Sequence, residues 1–367
     1  MSLTLVYQWQ AEIAAKLPHL GFWQSLNLAL YSLGMVLARH NSATRVAEVL
    51  GIVGKPESVR RRLERFLDNP RLDWQVSCQA WARWVLSQTA TSHPVLLVDE
   101  TKLGKHLRVM VLGLAYQSCC IPLVFWAYIQ MPLPQVELIE TLLSWVAAVL
   151  PEGCQPLLQA DRGIGTSPDL IQGVEHLGWH YLFRVQNQTC LRTRAGKSLP
   201  LKQLVQRGES WRGSGLVFQK AGWLPATVLV IWQAAYAEPW CLVTNAGYIS
   251  DFTYGLRYWQ EAGFRDLKSD GWQWQASRVW TPDHAHTLLL VMALAYAYTL
   301  TLGTLVLACP ATFRAVARPG KRVHFSLFRL GLRLFSFLAT RPTPPLLPSD
   351  LAQAEFLPEP FRLCVGV

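Results

Sequence analysis

Between residues 93 and 186 the chain runs VLLVDE, LRVMVLGLAY and CIPLVFWAYI, then the helix-periodic VELIETLLSWVAAVL, then PLLQAD, a short helical stretch, and WHYLFRVQ. Short apolar runs bounded by turn residues are strands, and the longer segment with apolar positions three and four apart is a helix. The order is therefore strand, strand, strand, helix, strand, helix, strand. In the second helix Thr166 or Ser167 offers an N-cap and Pro168 suits the first turn.

The flanking segments have other textures. Residues 1–88 read as helices separated by polar breaks, including SVRRRLERFLDN with Arg60, Arg61, Arg62 and Arg65. Three successive arginines spread around a helix, so this charge reads equally as a solvated face and as part of a phosphate contact. Residues 187–250 are rich in Gly and Trp, with strands expected in LVFQK, ATVLVIWQ and PWCLVTN, and read as a β-rich insertion. Thr281-Pro282-Asp283 is a cap and first-turn signal for the helix that follows. From Ala311 to Arg341 there are seven basic residues and no acidic one, with Arg322, Arg329 and Arg333 placed opposite Phe325, Phe328 and Phe335. That makes 311–367 a basic C-terminal segment.

His286 to Cys309 contains no Asp, Glu, Lys or Arg and is long enough to cross a bilayer. Its Thr and Tyr residues, and its place after a polar, Trp-rich stretch, favour a buried core helix in a soluble protein over a span. No membrane partner is expected. The eight cysteines form no CxxC pair and no Cys/His zinc spacing, and the N-terminus lacks an export signal. A reduced, cytoplasmic protein is expected. The net charge of +10 favours a polyanionic partner, with nucleic acid first.

Asp99 closes the first apolar run and Asp161 the fourth, and carboxylates at neighbouring strand ends can converge. Glu261 follows in YGLRYWQEAGFRDLK, where Tyr254, Arg257, Glu261 and Lys268 fall within roughly 60° of one helical face at about 100° per residue. Three carboxylates suit two Mg²⁺ ions beside phosphate oxygens. Each aspartate taken alone reads more simply as a turn cap. Glu100 would face the other side of the strand from Asp99, and His284 and His286 would point apart, so none of these is given a role.

This combination resembles the bacterial insertion-sequence transposases of the cut-and-paste DDE class, over roughly residues 93–290. It has the order Asp99, Asp161, Glu261, the spacing Tyr-x2-Arg-x3-Glu-x6-Lys and a β-rich stretch before the glutamate. The resemblance implies an α/β fold: a ribonuclease-H-like catalytic core (89–186 plus 251–310), a mixed sheet flanked by helices and interrupted by a β-rich insertion (187–250). An N-terminal helical domain (1–88) would recognise transposon ends. It implies Asp99, Asp161 and Glu261 as the metal-binding catalytic triad, with Mg²⁺ replaceable by Mn²⁺. Tyr254, Arg257 and Lys268 become DNA contacts, and Trp240 matches the aromatic residue that receives a flipped base, although a packed hairpin aromatic fits it as well. Arg162 resembles a family phosphate contact, and a local ion pair fits it equally. The implied activity is cleavage at terminal inverted repeats and strand transfer into target DNA through a hairpin, by a homodimer. A metal-dependent nuclease or recombinase on the same core, or a non-catalytic DNA-binding descendant, remain the alternatives.

Overall fold

The computed structural model describes residues 3–89, 91–104, 106–194, 196–309, 312, 316 and 325–339. Five helices come first: α1 (Leu3–Lys16), α2 (Phe22–Ala38), α3 (Ala43–Val49), α4 (Pro56–Leu67) and α5 (Trp74–Ser87). Asp73 starts α5 by accepting the N–H groups of Gln75 and Val76, satisfying two donors the helix itself leaves open. The Trp81 indole of α5 then donates to the carbonyl of Pro122, which fixes the helical domain against the sheet. In α4 the arginines are held locally: Arg60 pairs with Glu57 and Glu64, and Arg61 with Glu57.

The expected strand and helix order follows: β1 (Val95–Leu103), β2 (Leu107–Tyr116), β3 (Cys119–Tyr128), α6 (Gln135–Ala147), β4 (Leu157–Ala160), α7 (Arg162–Gly165), α8 (Pro168–His176) and β5 (His180–Arg184). Ser167 caps α8 through the N–H of Leu170, with Pro168 in the first turn. These strands lie in the order β3-β2-β1-β4-β5. β1 to β3 are antiparallel, while β4 joins β1 and β5 joins β4 in parallel. The sheet is therefore mixed, as the resemblance implies.

The β-rich segment supplies β6 (Cys190–Arg192), β7 (Ser198–Pro200), β8 (Ser210–Val217), β9 (Leu224–Ile231) and β10 (Trp240–Thr244). It builds no sheet of its own. β10 pairs antiparallel with β5, and the rest continue outward to give one ten-stranded sheet ending β5-β10-β9-β8-β6-β7. Within LVFQK only Leu216 and Val217 are extended, because Phe218 turns into the left-handed region at φ 60°.

After the sheet come α9 (Arg257–Leu267), α10 (Pro282–Ala308) and α11 (Leu327–Ala339). The uncharged run is α10, and 94% of its most apolar window is buried inside the protein, against α2, β3 and α11. Several of its hydroxyls are satisfied at close range: Thr299 and Thr301 donate to carbonyls one turn back, and Tyr296 donates to Asp266. α11 approaches α10 through glycines, since a Cβ on Gly331 would fall 1.8 Å from the Thr299 carbonyl oxygen and one on Gly303 2.2 Å from that of Leu327. The Arg333 guanidinium lies over the Phe325 ring at 3.8 Å and not opposite it. Arg322 and most of 311–367 lie outside the described residues.

Candidate active site

The register of the parallel strands assembles the aspartates. Val98 of β1 pairs with Ala160 of β4, so Asp99 and Asp161 are each one residue beyond the last parallel pair and stand side by side. β1 does not stop at Asp99, as the sequence suggested. It runs on to Leu103 in the hairpin with β2, which lends Asp99 a rigid backbone. Phe183 is level with Ala160 on the next strand, so Arg184 takes the third place in the row. Sequence reasoning passed over Arg184. The signal was available in the parallel alignment of PLLQAD with HYLFR, but only once the strands were known to be neighbours.

Asp99 is mostly buried, its side chain 19% exposed, and its Oδ2 accepts from Nη2 of Arg257 at 2.6 Å. Its Oδ1 accepts the N–H of Glu100 at 2.8 Å. Burial holds the Asp99 carboxyl above the usual carboxylate range; Arg257 pulls it down and the neighbouring Asp161 charge pushes it further up. Asp161 starts α7, its Oδ1 accepting from Gly163 at 2.9 Å and Ile164 at 3.1 Å. The turn-cap reading of Asp161 and its place beside Asp99 therefore both hold. Glu100 faces the other way, accepting from the Tyr128 hydroxyl.

The Tyr254 to Lys268 stretch is not one helical stripe. Tyr254 lies in a 3₁₀ turn (Thr253–Leu256), α9 begins at Arg257, and Lys268 follows its last residue. The phase of α9 is set by Gln260 and Gly263. Gln260 is fully buried and donates to the carbonyls of Leu97 and Val111, and Gly263 lets the helix come within touching distance of Cys120 on β3. Arg257 is thereby buried against Asp99, while Glu261, about 100° round from Gln260, is exposed. Among the described residues no three His, Cys, Asp or Glu side chains are drawn together as a ready metal site. Glu261 stands apart from the aspartate pair.

The remaining residues surround that pair. Burial lowers the pKa of the half-buried Lys268 ammonium while the Asp99 charge raises it, which places Lys268 in the field of the site. The Tyr254 hydroxyl lies 3.4 Å from the carbonyl oxygen of Ala160, and burial pushes its pKa up to about 12. Trp240 meets Tyr254 edge to face at 5.3 Å and is stacked on Tyr236 at 5.6 Å. Trp240 and Tyr236 border a cleft of about 370 Å³ lined also by Trp232, Asp251 and Phe252. Arg162 forms an ion pair with Glu238 at 3.0 Å, the local pairing allowed for in the sequence. His284 faces Asp68 and His286 accepts from the Ala127 N–H, so the two point apart as expected.

The donor set is chemically suited to a divalent cation. Two carboxylates share one end of the sheet, one of them burdened by burial and by its neighbour, and Arg257 is the cation seated against it. The Arg257 Nε and Nη1, both buried, have no hydrogen-bond partner, and neither has the buried Nε of Arg184. Guanidinium N–H groups held in this way beside two carboxylates suit a phosphodiester.

Comparison with known proteins agrees with this chemistry. Residues 135–298 match the family model described as the transposase DDE domain, a span from α6 into α10 that contains Asp161, Trp240, Tyr254, Arg257, Glu261 and Lys268. Among solved structures, a piggyBac transposase synaptic complex with hairpin DNA aligns with a TM-score of 0.42 and 13% identity, over 93% of this chain and 80% of that one. A likeness that loose carries no functional argument. A search of curated proteins gives no match. Over residues 135–298, a little under half of its length, the chain is thus similar to the DDE domain of transposases.

Proposed function

We propose that the protein is a DNA transposase of the insertion-sequence type, which cleaves strands at the ends of its element and joins them to target DNA. The observation that carries this reading is the pairing of Asp99 and Asp161 one residue beyond the Val98–Ala160 register, with Arg257 against Asp99. The two aspartates would hold divalent metal, Mg²⁺ or Mn²⁺, with Glu261 as the third ligand from the exposed side of α9. Bound metal supplies activation of the attacking water or 3′-hydroxyl and neutralises the leaving oxygen.

The protein's own groups have separate tasks. Arg257 keeps Asp99 in place through Nη2 and presents Nε and Nη1 to a phosphate of the DNA end. Lys268 adds positive charge from the far end of α9, and Tyr254 braces Trp240 from the side. Trp240 offers an indole face to a flipped base, which enters where Tyr236 now stacks; such stacking contributes about 1–3 kcal/mol. A hairpin intermediate and a dimeric synaptic assembly complete this reading.

The test is strand cleavage of duplexes bearing whatever inverted repeats genome sequencing finds on either side of the gene, with Mg²⁺ or Mn²⁺, for wild type and for Asp99→Asn, Asp161→Asn and Glu261→Gln. Loss of cutting in all three with DNA binding retained is expected; normal cutting by all three removes the site. The exposed, separate Glu261 favours one rival, a DNA-binding descendant without catalysis. That protein would bind the repeats and leave them uncut even as wild type.

A further inference from the structure

The molecule holds a second concave site, toward the β6–β7 edge of the sheet and far from the aspartates. Between β6 and β9 lies a cleft of about 860 Å³ whose lining includes Arg192, Thr193, Arg194, Ser214 and Thr227, with Glu175 of α8 as its acidic member. The apolar side of α8 and Ala226 belong to the core on the other face of the sheet from α9, so the cleft takes residues from both faces, and the strand pairing fixes which of them share the face of the aspartates. Leu97 and Leu157 belong to the apolar cluster under α9, as do Leu242 and Leu229. Counting by two along each strand places Asp99 and Asp161 on that face, and Thr227 with them. Thr227 pairs with Ser214, and Leu216 with Arg192, which carries the same face across to the cleft. Five strand spacings and about four residues separate Asp161 from Arg192, roughly 27 Å.

The charge here is one-sided. From Cys190 to Trp223 there are seven Lys or Arg and one Glu, Glu209. Of the two lining arginines, Arg192 is stacked over Trp223 at 4.7 Å, which preorganises its guanidinium, and Arg194 is exposed. Fixed guanidinium groups beside serine and threonine hydroxyls match the backbone of a nucleic acid, to which half or more of protein–DNA hydrogen bonds go. About 27 Å corresponds to roughly eight base pairs at 3.4 Å each.

We propose that this cleft is a second DNA site, which grips the phosphate backbone of the same duplex roughly eight base pairs from the scissile phosphate through Arg192 and Arg194. The inference rests on the transposase reading for the identity of the polyanion. The site is independent of base sequence and of metal, so it can be read without cleavage. The experiment is fluorescence anisotropy of a labelled 30-base-pair duplex of arbitrary sequence, in EDTA, across a series of KCl concentrations. It compares wild type, Arg192→Gln with Arg194→Gln, and Lys202→Gln with Lys220→Gln as a charge-matched control elsewhere on the insertion.

The slope of log affinity against log salt should fall by about two in the first double variant, with roughly 10–100-fold weaker binding at 0.1 M KCl. The control should change the slope little. Equal effects in both pairs, or no effect in the first, overturn the cleft. If wild type binds no duplex at all, the transposase reading falls as well, which separates the two failures. Should the double variant not fold, Arg194→Gln alone, altering an exposed side chain, must lower the slope by about one.

Discussion

Nη2 of Arg257 and Oδ2 of Asp99 lie 2.6 Å apart, so the first turn of α9 is tied by charge to the strand carrying the first aspartate. Replacing Arg257 by Gln leaves a mostly buried carboxylate facing Asp161 with no cation against it. The cost should be about 1–3 kcal/mol in urea unfolding at pH 7, less than for a fully enclosed pair. Burial and Asp161 already hold the Asp99 carboxyl high, and losing Arg257 raises it further. The deficit is then fully expressed above that raised pKa and shrinks as acid neutralises Asp99. A deficit of equal size at pH 4 and pH 7 contradicts this.

Asp161 has two duties that substitution can separate. Asn keeps a capping oxygen for Gly163 and Ile164, whereas Ala keeps nothing. Asp161→Asn should melt close to wild type, and Asp161→Ala should lose about 1 kcal/mol. Both should abolish strand cleavage. Cleavage surviving in Asp161→Asn would reduce the residue to a cap.

Asp266 is buried on the inner side of the last turn of α9, accepting from Tyr296, with Cys119, Asp270, Arg265 and Arg329 in its surroundings. Burial pushes its pKa up to about 6. A raised folded pKa means that stability is full below the ordinary carboxylate value and is lost as pH rises through about 6. At pH 8 the ionised group costs roughly 3 kcal/mol, which Asp266→Asn should recover. At pH 3 the two proteins should match; the gain at high pH, followed by thermal melts across the range, is the measurement.

Gly331 and Gly303 allow α10 and α11 to meet backbone to backbone. Alanine at 331 would drive a Cβ into a carbonyl oxygen that has no room to retreat. Gly331→Ala should destabilise by about 1–3 kcal/mol or more, although alanine ordinarily favours a helix. An unchanged or higher melting temperature would show that the two helices are not in contact.

Much of this was legible in the chain. The order from β1 to β5 followed from apolar run length and turn residues, and the charge-free helix from its length and hydroxyls. Asp99 and Asp161 were found because strand ends are where a sheet gathers side chains. Arg184 was missed because its place depends on which strands pair, and no local pattern records that. The stripe from Tyr254 to Lys268 failed as geometry for a similar reason. Spacing predicts a face only if one helix spans the whole segment, and here a 3₁₀ turn precedes Arg257 while the packing of Gln260 and Gly263 sets the rotation. The insertion was recognised as β-rich, but its fusion with the core sheet rests on three cross-strand partners between β5 and β10.

That fusion has a consequence for how the molecule handles a bound duplex. With β10 hydrogen-bonded to the strand beside Asp161, the β-rich segment cannot pivot like a hinged arm. Whatever it grips is held at a fixed interval from the aspartates, as marks on a ruler are. Movement of DNA through the site would have to come from the DNA bending or from the sheet travelling as one piece, because the sheet itself offers no joint.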